Sequence, residues 1–231
     1  MKQISLILTF LLTTLACFGQ KEHLVLPTKV SPDDSVRYRI PNYSKLRTFN
    51  ESVNKLLYSG FSEKPYAKYT CMPSFSEGYA FSVEKINEKN YVLSNKLLEN
   101  YSLAYHENRK ISVKTNKTEI SNELYLKIGE LFELLIEQTK EKERKFETLP
   151  DGTIEEHLEI RADGETYIFT TTDKNGEIRT GTTWSPHPNS KPMLSRLVNI
   201  CDNLCSLEIE NNISQTNILK EIEILINYLK E

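Results

Sequence analysis

Two dipeptides, Asp163-Gly164 and Asn175-Gly176, constrain the fold of this chain more than any other feature. Both contain residues that reach positive φ at little cost, and both stand between stretches of alternating polar and apolar residues, the pattern of a β-hairpin. Residues 154 to 185 therefore read as a three-stranded antiparallel meander. With two-residue type I′ turns, Ile160 faces Tyr167 and Tyr167 faces Trp184. That register gathers Leu158, Ile160, Tyr167, Phe169, Ile178 and Trp184 on one side. A bulged turn at Asp173-Lys174-Asn175-Gly176 shifts the last strand by one and splits this apolar set, so the unbulged register is expected.

Helical spacing accounts for four other segments. Leu46, Phe49, Val53, Leu56 and Leu57 predict a helix over 43 to 59, stopping before Gly60. Leu124, Ile128, Leu131, Phe132 and Leu135 predict another, capped by Ser121 and running to about residue 142. A third starts near Ser190, with Pro192 in its first turn where a missing N–H is harmless. It carries Leu194, Leu197, Val198, Cys201, Leu204 and Cys205 on one stripe. The fourth, from about Asn212 to Ser214 onward, bears Ile218, Ile222, Leu225, Ile226 and Leu229. Strands are expected at 79 to 86, 91 to 99, 101 to 106 and 110 to 115, and the aromatic stretch 65 to 81, PYAKYTCMPSFSEGYAF, reads as a loop leading into the first. Antiparallel runs separated from helices predict one α+β domain over 37 to 231, with helices packed on one face of the sheet.

The N-terminus points to export. Lys2, an apolar run from Ile4 to Leu12 and small residues after it have the layout of a secretory signal over 1 to 19. That run is shorter than the roughly 20 apolar residues a membrane-spanning helix needs, and no later stretch comes close. Cleavage after Gly19 leaves Gln20 first. The alternative is acylation at Cys17, since Leu15-Ala16-Cys17 resembles a lipoprotein box, though Thr14 departs from that pattern. Residues 20 to 36 show no clear period and read as a tether.

Charge and cysteine content exclude several classes. The formal net charge is −3, and removing residues 1 to 19 takes away only Lys2, so no basic stripe exists for nucleic acid or an anionic membrane surface. Beyond the leader there are three cysteines, Cys71, Cys201 and Cys205, too few for a disulfide scaffold. Cys201 and Cys205, one helical turn apart, are too far apart to bond to each other, and a bridge from Cys71 to either stays open. No second Cys or His pair stands at zinc-ligand spacing, and neither a phosphate-cradling loop nor G-x-S-x-G occurs, so no cofactor or metal is expected.

The candidate contact residues form two groups. Tyr66, Tyr69, Phe75 and Tyr79 belong to the aromatic stretch, where loop tyrosines offer rigid amphipathic contact area or cap the open end of the core. His157, Glu159, Arg161 and Arg179 lie on the polar face of the expected meander, with His187 on the turn just past Trp184. Trp184 itself reads as an anchor at a strand-to-helix corner. The resulting expectation is an exported, non-catalytic binding module of the cell envelope or extracellular space. One alternative is a small hydrolase using Cys71 with His106 or His157, or the His157/Glu159 pair. Another is a structural envelope component.

Overall fold

The computed structural model describes residues 22–27, 43–142, 146–148, 151–156, 163–207 and 215–231. The expected leader over 1 to 19, with Cys17, lies outside the described residues. The elements are α1 (Tyr43–Leu57), β1 (Ala67–Pro73), β2 (Tyr79–Ile86), β3 (Lys89–Leu97), α2 (Tyr101–His106), β4 (Val113–Ile120), α3 (Asn122–Glu137), β5 (Phe146–Thr148), β6 (Ile154–Glu156), β7 (Glu165–Thr172), β8 (Ile178–Trp184), α4 (Pro192–Cys205) and α5 (Gln215–Lys230). The main sheet is antiparallel throughout, in the order β4-β3-β2-β1-β7-β8, so the fold is α+β. No helix among the described residues is long and apolar enough to cross a membrane.

Periodicity located the long helices, and their caps explain their ends. Ser121 accepts a hydrogen bond from Leu124 N at 3.1 Å and starts α3. The helices do not all share one face. Helices α3 and α4 lie on the face formed by Tyr69, Phe81, Val83, Val92 and Phe169, and α5 packs on both of them through Ile218, Ile222, Leu225, Ile226 and Leu229. The opposite face is covered over β2 and β3 by α1, where Val53 and Leu57 meet Ala80 and Leu97. Buried Asn95 fixes that end of α1, donating to Leu57 O and Ser59 O at 2.9 Å each.

Three sequence expectations are corrected. Segment 65 to 81 is not mainly loop, because Ala67–Pro73 is a central strand. Covered on both faces, it buries Ala67, Tyr69, Thr70 and Cys71 and loses the alternation that marks a half-exposed strand. Residues 101 to 106 are helix α2, since the Asn100 side chain accepts from Leu103 N at 2.9 Å and starts a turn there. The meander also changes its membership. Strand β7 has two edges, taken by β1 and β8, while β6 pairs with β5.

The β7–β8 register is the bulged one. Asp173 N donates to Glu177 O, Gly176 takes φ +79°, and the Asp173 carboxylate accepts from Asn175 N and Glu177 N. This is a three-residue loop with a glycine bulge. Tyr167 therefore faces Thr183 and Trp184 faces Thr166, so the tryptophan is on the opposite side of the sheet from Tyr167. Ile178 is 54% exposed near the edge.

On the helix-covered face β8 then offers only Gly181 and Thr183 to the core, and the missing apolar volume comes from the N-terminal segment. Residues 22–27, expected as part of a tether, are docked. Leu24 is fully buried against Gly181, where a Cβ would come within 2.9 Å of it. Val25 exchanges both backbone bonds with Thr182, at 2.9 and 2.7 Å. Leu24 O and Leu26 N pair with Lys140. Glu22 caps α4, accepting from Met193 N at 3.2 Å and Leu194 N at 3.0 Å, where Lys191 at the cap position makes no side-chain bond. We expect Leu24→Ala to lower unfolding stability by about 2–5 kcal/mol. Leu26→Ala, at a residue 44% exposed, should stay within about 0.5 kcal/mol of wild type. Urea denaturation of the two variants checks both values.

Candidate functional site

A cluster of ionisable side chains lies among the described residues on the face covered by α3 and α4, where β1, β2 and β7 meet the last turns of α4. The carboxylate of Asp202 reaches down from α4, and its Oδ1 accepts from the hydroxyls of Tyr69 and Tyr79 at 2.8 Å each. Tyr69 is fully buried, its ring 5.3–6.3 Å from those of Tyr79, Phe81, Tyr167 and Phe169. Tyr167 donates to Glu165 beside it. Burial raises the Asp202 carboxyl above the usual range, the two phenol hydrogen bonds oppose that shift, and Glu165 adds to it. Burial likewise pushes all three phenols strongly upward.

The cysteines belong to this group. Cys71 and Cys201 are buried, Cys205 is half-buried, and all three are free thiols. Burial pushes Cys71 up to about 12, with the neighbouring Tyr79 hydroxyl opposing that shift, and raises Cys201 and Cys205 well above the ordinary value. A thiol protonated at neutral pH is a poor nucleophile. No imidazole faces Cys71 among the described residues, because His106 is on α2, which packs with α1 on the other side of the sheet. His157, Glu159 and Arg161 lie outside the described residues. No cluster of three His, Cys, Asp or Glu side chains that could hold a metal occurs among the described residues. What the arrangement does chemically is fix one carboxylate rigidly between two phenols.

The remaining candidates separate. Tyr66 stacks on Tyr125 with ring centroids 4.3 Å apart, its hydroxyl lying where any Cβ on Gly129 would be, so that glycine on α3 is needed for the contact. Arg179 pairs with Asp173 at 3.1 Å and Glu177 at 3.6 Å on the surface. His187 is exposed, with Nδ1 accepting from Asn189 N at 3.2 Å. Shallow depressions along α1, at Lys45, Thr48, Phe49 and Ser52, and between α4 and α5, at Arg196 and Glu221, gather none of these residues.

Phe75 is different. It is 77% exposed at the β1–β2 turn, yet the turn is held on both flanks. Ser74 donates to Gly164 O through N at 3.0 Å and through Oγ at 2.8 Å, and Asn100 Nδ2 donates to Ser76 O at 3.0 Å. Leu98 and Leu103, 55% and 52% exposed, stand either side of Asn100 in the chain. Half-buried Trp184 packs over Gly164, whose Cβ would fall 2.5 Å from the indole. The sequence reading named Phe75, Tyr69 and Tyr79 together; the structure sends the two tyrosines inward and leaves the phenylalanine out. It missed Asp202, although a single acid next to Cys201 at the margin of an apolar stripe was a visible sign.

No protein-family model, curated protein or solved structure matches this chain.

The raised Asp202 carboxyl has a sign that can be measured. The folded protein binds that proton more tightly than the unfolded chain, so the stability it contributes is full below the ordinary carboxylate pKa and falls as pH rises through the raised folded value. Asn at this position keeps an acceptor for both phenols and does not ionise. Urea midpoints of Asp202→Asn and wild type, compared from pH 4 to pH 8, should shift in the variant's favour with rising pH and then level off. A difference independent of pH would show that the carboxyl is not perturbed.

Proposed function

We propose that the chain is an exported, non-catalytic binding module of the cell envelope or extracellular space, meeting its partner through the end of the sheet that carries Phe75. The observation that carries this reading is an aromatic side chain 77% exposed on a turn pinned at both flanks. Exposed aromatic surface on a rigid turn loses little conformational entropy when it docks, so its burial is retained as affinity. Export rests on the leader-like residues 1 to 19, with Cys17 as an acylation site in the lipoprotein variant. The hydrolase reading has less support, since the Cys71 thiol is held protonated and faces no imidazole among the described residues. An exposed aromatic group also weighs against a purely structural component.

Immobilised wild type and Phe75→Ser, incubated with solubilised envelope and culture supernatant of the native cell, separate these readings. We expect a species retained by wild type and lost with Phe75→Ser, while the two have denaturation midpoints equivalent to within about 0.5 kcal/mol. Equal retention by both would remove Phe75 from the contact surface. N-terminal sequencing of the exported chain should begin at Gln20; a blocked, lipid-modified Cys17 would select the anchored form.

A further inference from the structure

The side of the sheet opposite α3 and α4 carries a cation with no counter-charge among the described residues. Lys68 projects from central strand β1 away from α3 and α4, with Ser82 of β2 and Thr170 of β7 as its cross-strand neighbours. Its ammonium lies 4.5 Å from the centre of the Tyr58 ring and makes no ion pair or hydrogen bond among the described residues. The nearby carboxylates are engaged elsewhere. Glu84 accepts from Ser62 N at 2.8 Å and Ser82 Oγ at 2.6 Å, and Asp173 and Glu177 are paired with Arg179. Lys68 is half-buried, and desolvation, the sole cause of its shift, lowers its pKa.

Next to it stand hydroxyls with unspent donors. Thr170 and Thr180 face each other across β7 and β8 with their Oγ1 atoms 3.3 Å apart. One O–H serves the other oxygen, which leaves one without an acceptor among the described residues. Two residues further along the same face the buried Thr172 hydroxyl has no partner among the described residues. A partly desolvated ammonium, an aromatic wall on one side and surplus O–H donors on the other are the complement of an oxyanion.

We propose that the outer face of the sheet holds an oxyanion site centred on Lys68, which binds a phosphate or carboxylate group between the ammonium and the Thr170–Thr180 hydroxyl pair. The site is independent of the Phe75 surface: it uses other residues on another part of the sheet.

Acetylation of the wild-type protein by limiting acetic anhydride, with peptide mapping, tests this without any variant. Inorganic phosphate, at ionic strength matched with sodium chloride, should slow modification of Lys68 by about threefold at twice its dissociation constant. Exposed Lys174 should be unaffected. Acetate in place of phosphate tells a general oxyanion site from a phosphate-selective one. A phosphate-dependent rise in thermal midpoint should also grow with the logarithm of phosphate concentration above the dissociation constant, vanish in Lys68→Gln and persist in Lys174→Gln. Equal protection of all lysines, or protection of none by either anion, overturns the proposal.

Discussion

The pairing of β1 with β7 is the contact on which the rest of the domain depends. It runs from Lys68 opposite Thr170 to Pro73 opposite Glu165 and joins strands β1 to β4 and strands β7 and β8 into one sheet. On one side of the seam lie the locally connected strands β1 to β4; on the other lies the β7–β8 hairpin. Closing so long an intervening loop is entropically unfavourable and is rewarded only when the seam also buries side chains. Tyr69 supplies that burial, touching Phe81 on one flank and Tyr167 and Phe169 on the other. The same residue holds Asp202, so the polar group under α4 and the seam of the sheet are one structure seen from two sides.

A second constraint follows from the bulged hairpin. By turning Trp184 to the outer face it leaves Gly181 opposite Phe169, a gap at the edge of the core. An interior packs to nearly crystalline density, and a gap of side-chain size there must be filled from elsewhere. Leu24 fills it, and Glu22 and Val25 fasten the segment that delivers it. Register, glycine and N-terminal segment therefore form one solution to one packing problem.

These linked features explain what could and could not be read from the sequence. The amphipathic helices were legible because each buries one stripe on a partner, which imposes the three/four spacing whatever that partner is. β1 was not, because burial on both faces removes the alternation that marks a strand, and Tyr66, Tyr69 and Tyr79 then resemble loop aromatics. The hairpin register failed for a local reason. Keeping the apolar set on one face is a sound argument only when all the apolar volume on that face comes from the hairpin itself, and here Leu24 arrives from more than a hundred residues upstream. Of the candidate site, Phe75 was visible as an exposed loop aromatic. Asp202 and Lys68 were not, since their significance lies in which groups surround them rather than in any motif.

One detail at the end of α3 bears on how the molecule responds to pulling. Lys140 pairs through its backbone with Leu24 and Leu26, and two residues before it the Gln138 amide donates to Leu229 O at 2.8 Å, in the last turn of α5. Lys230 of α5 reaches back to Glu130 on α3 at 2.6 Å. Residues 24 to 26 and the end of α5 are thus clasped by one short stretch of chain. Tension applied between them loads this clasp first, peeling the strap or the last helical turn before it reaches the β1–β7 seam. The same proximity makes the fold a natural ring: a short peptide linking the two would leave every strand pairing intact, and new ends could be opened at an exposed turn such as Lys174-Asn175.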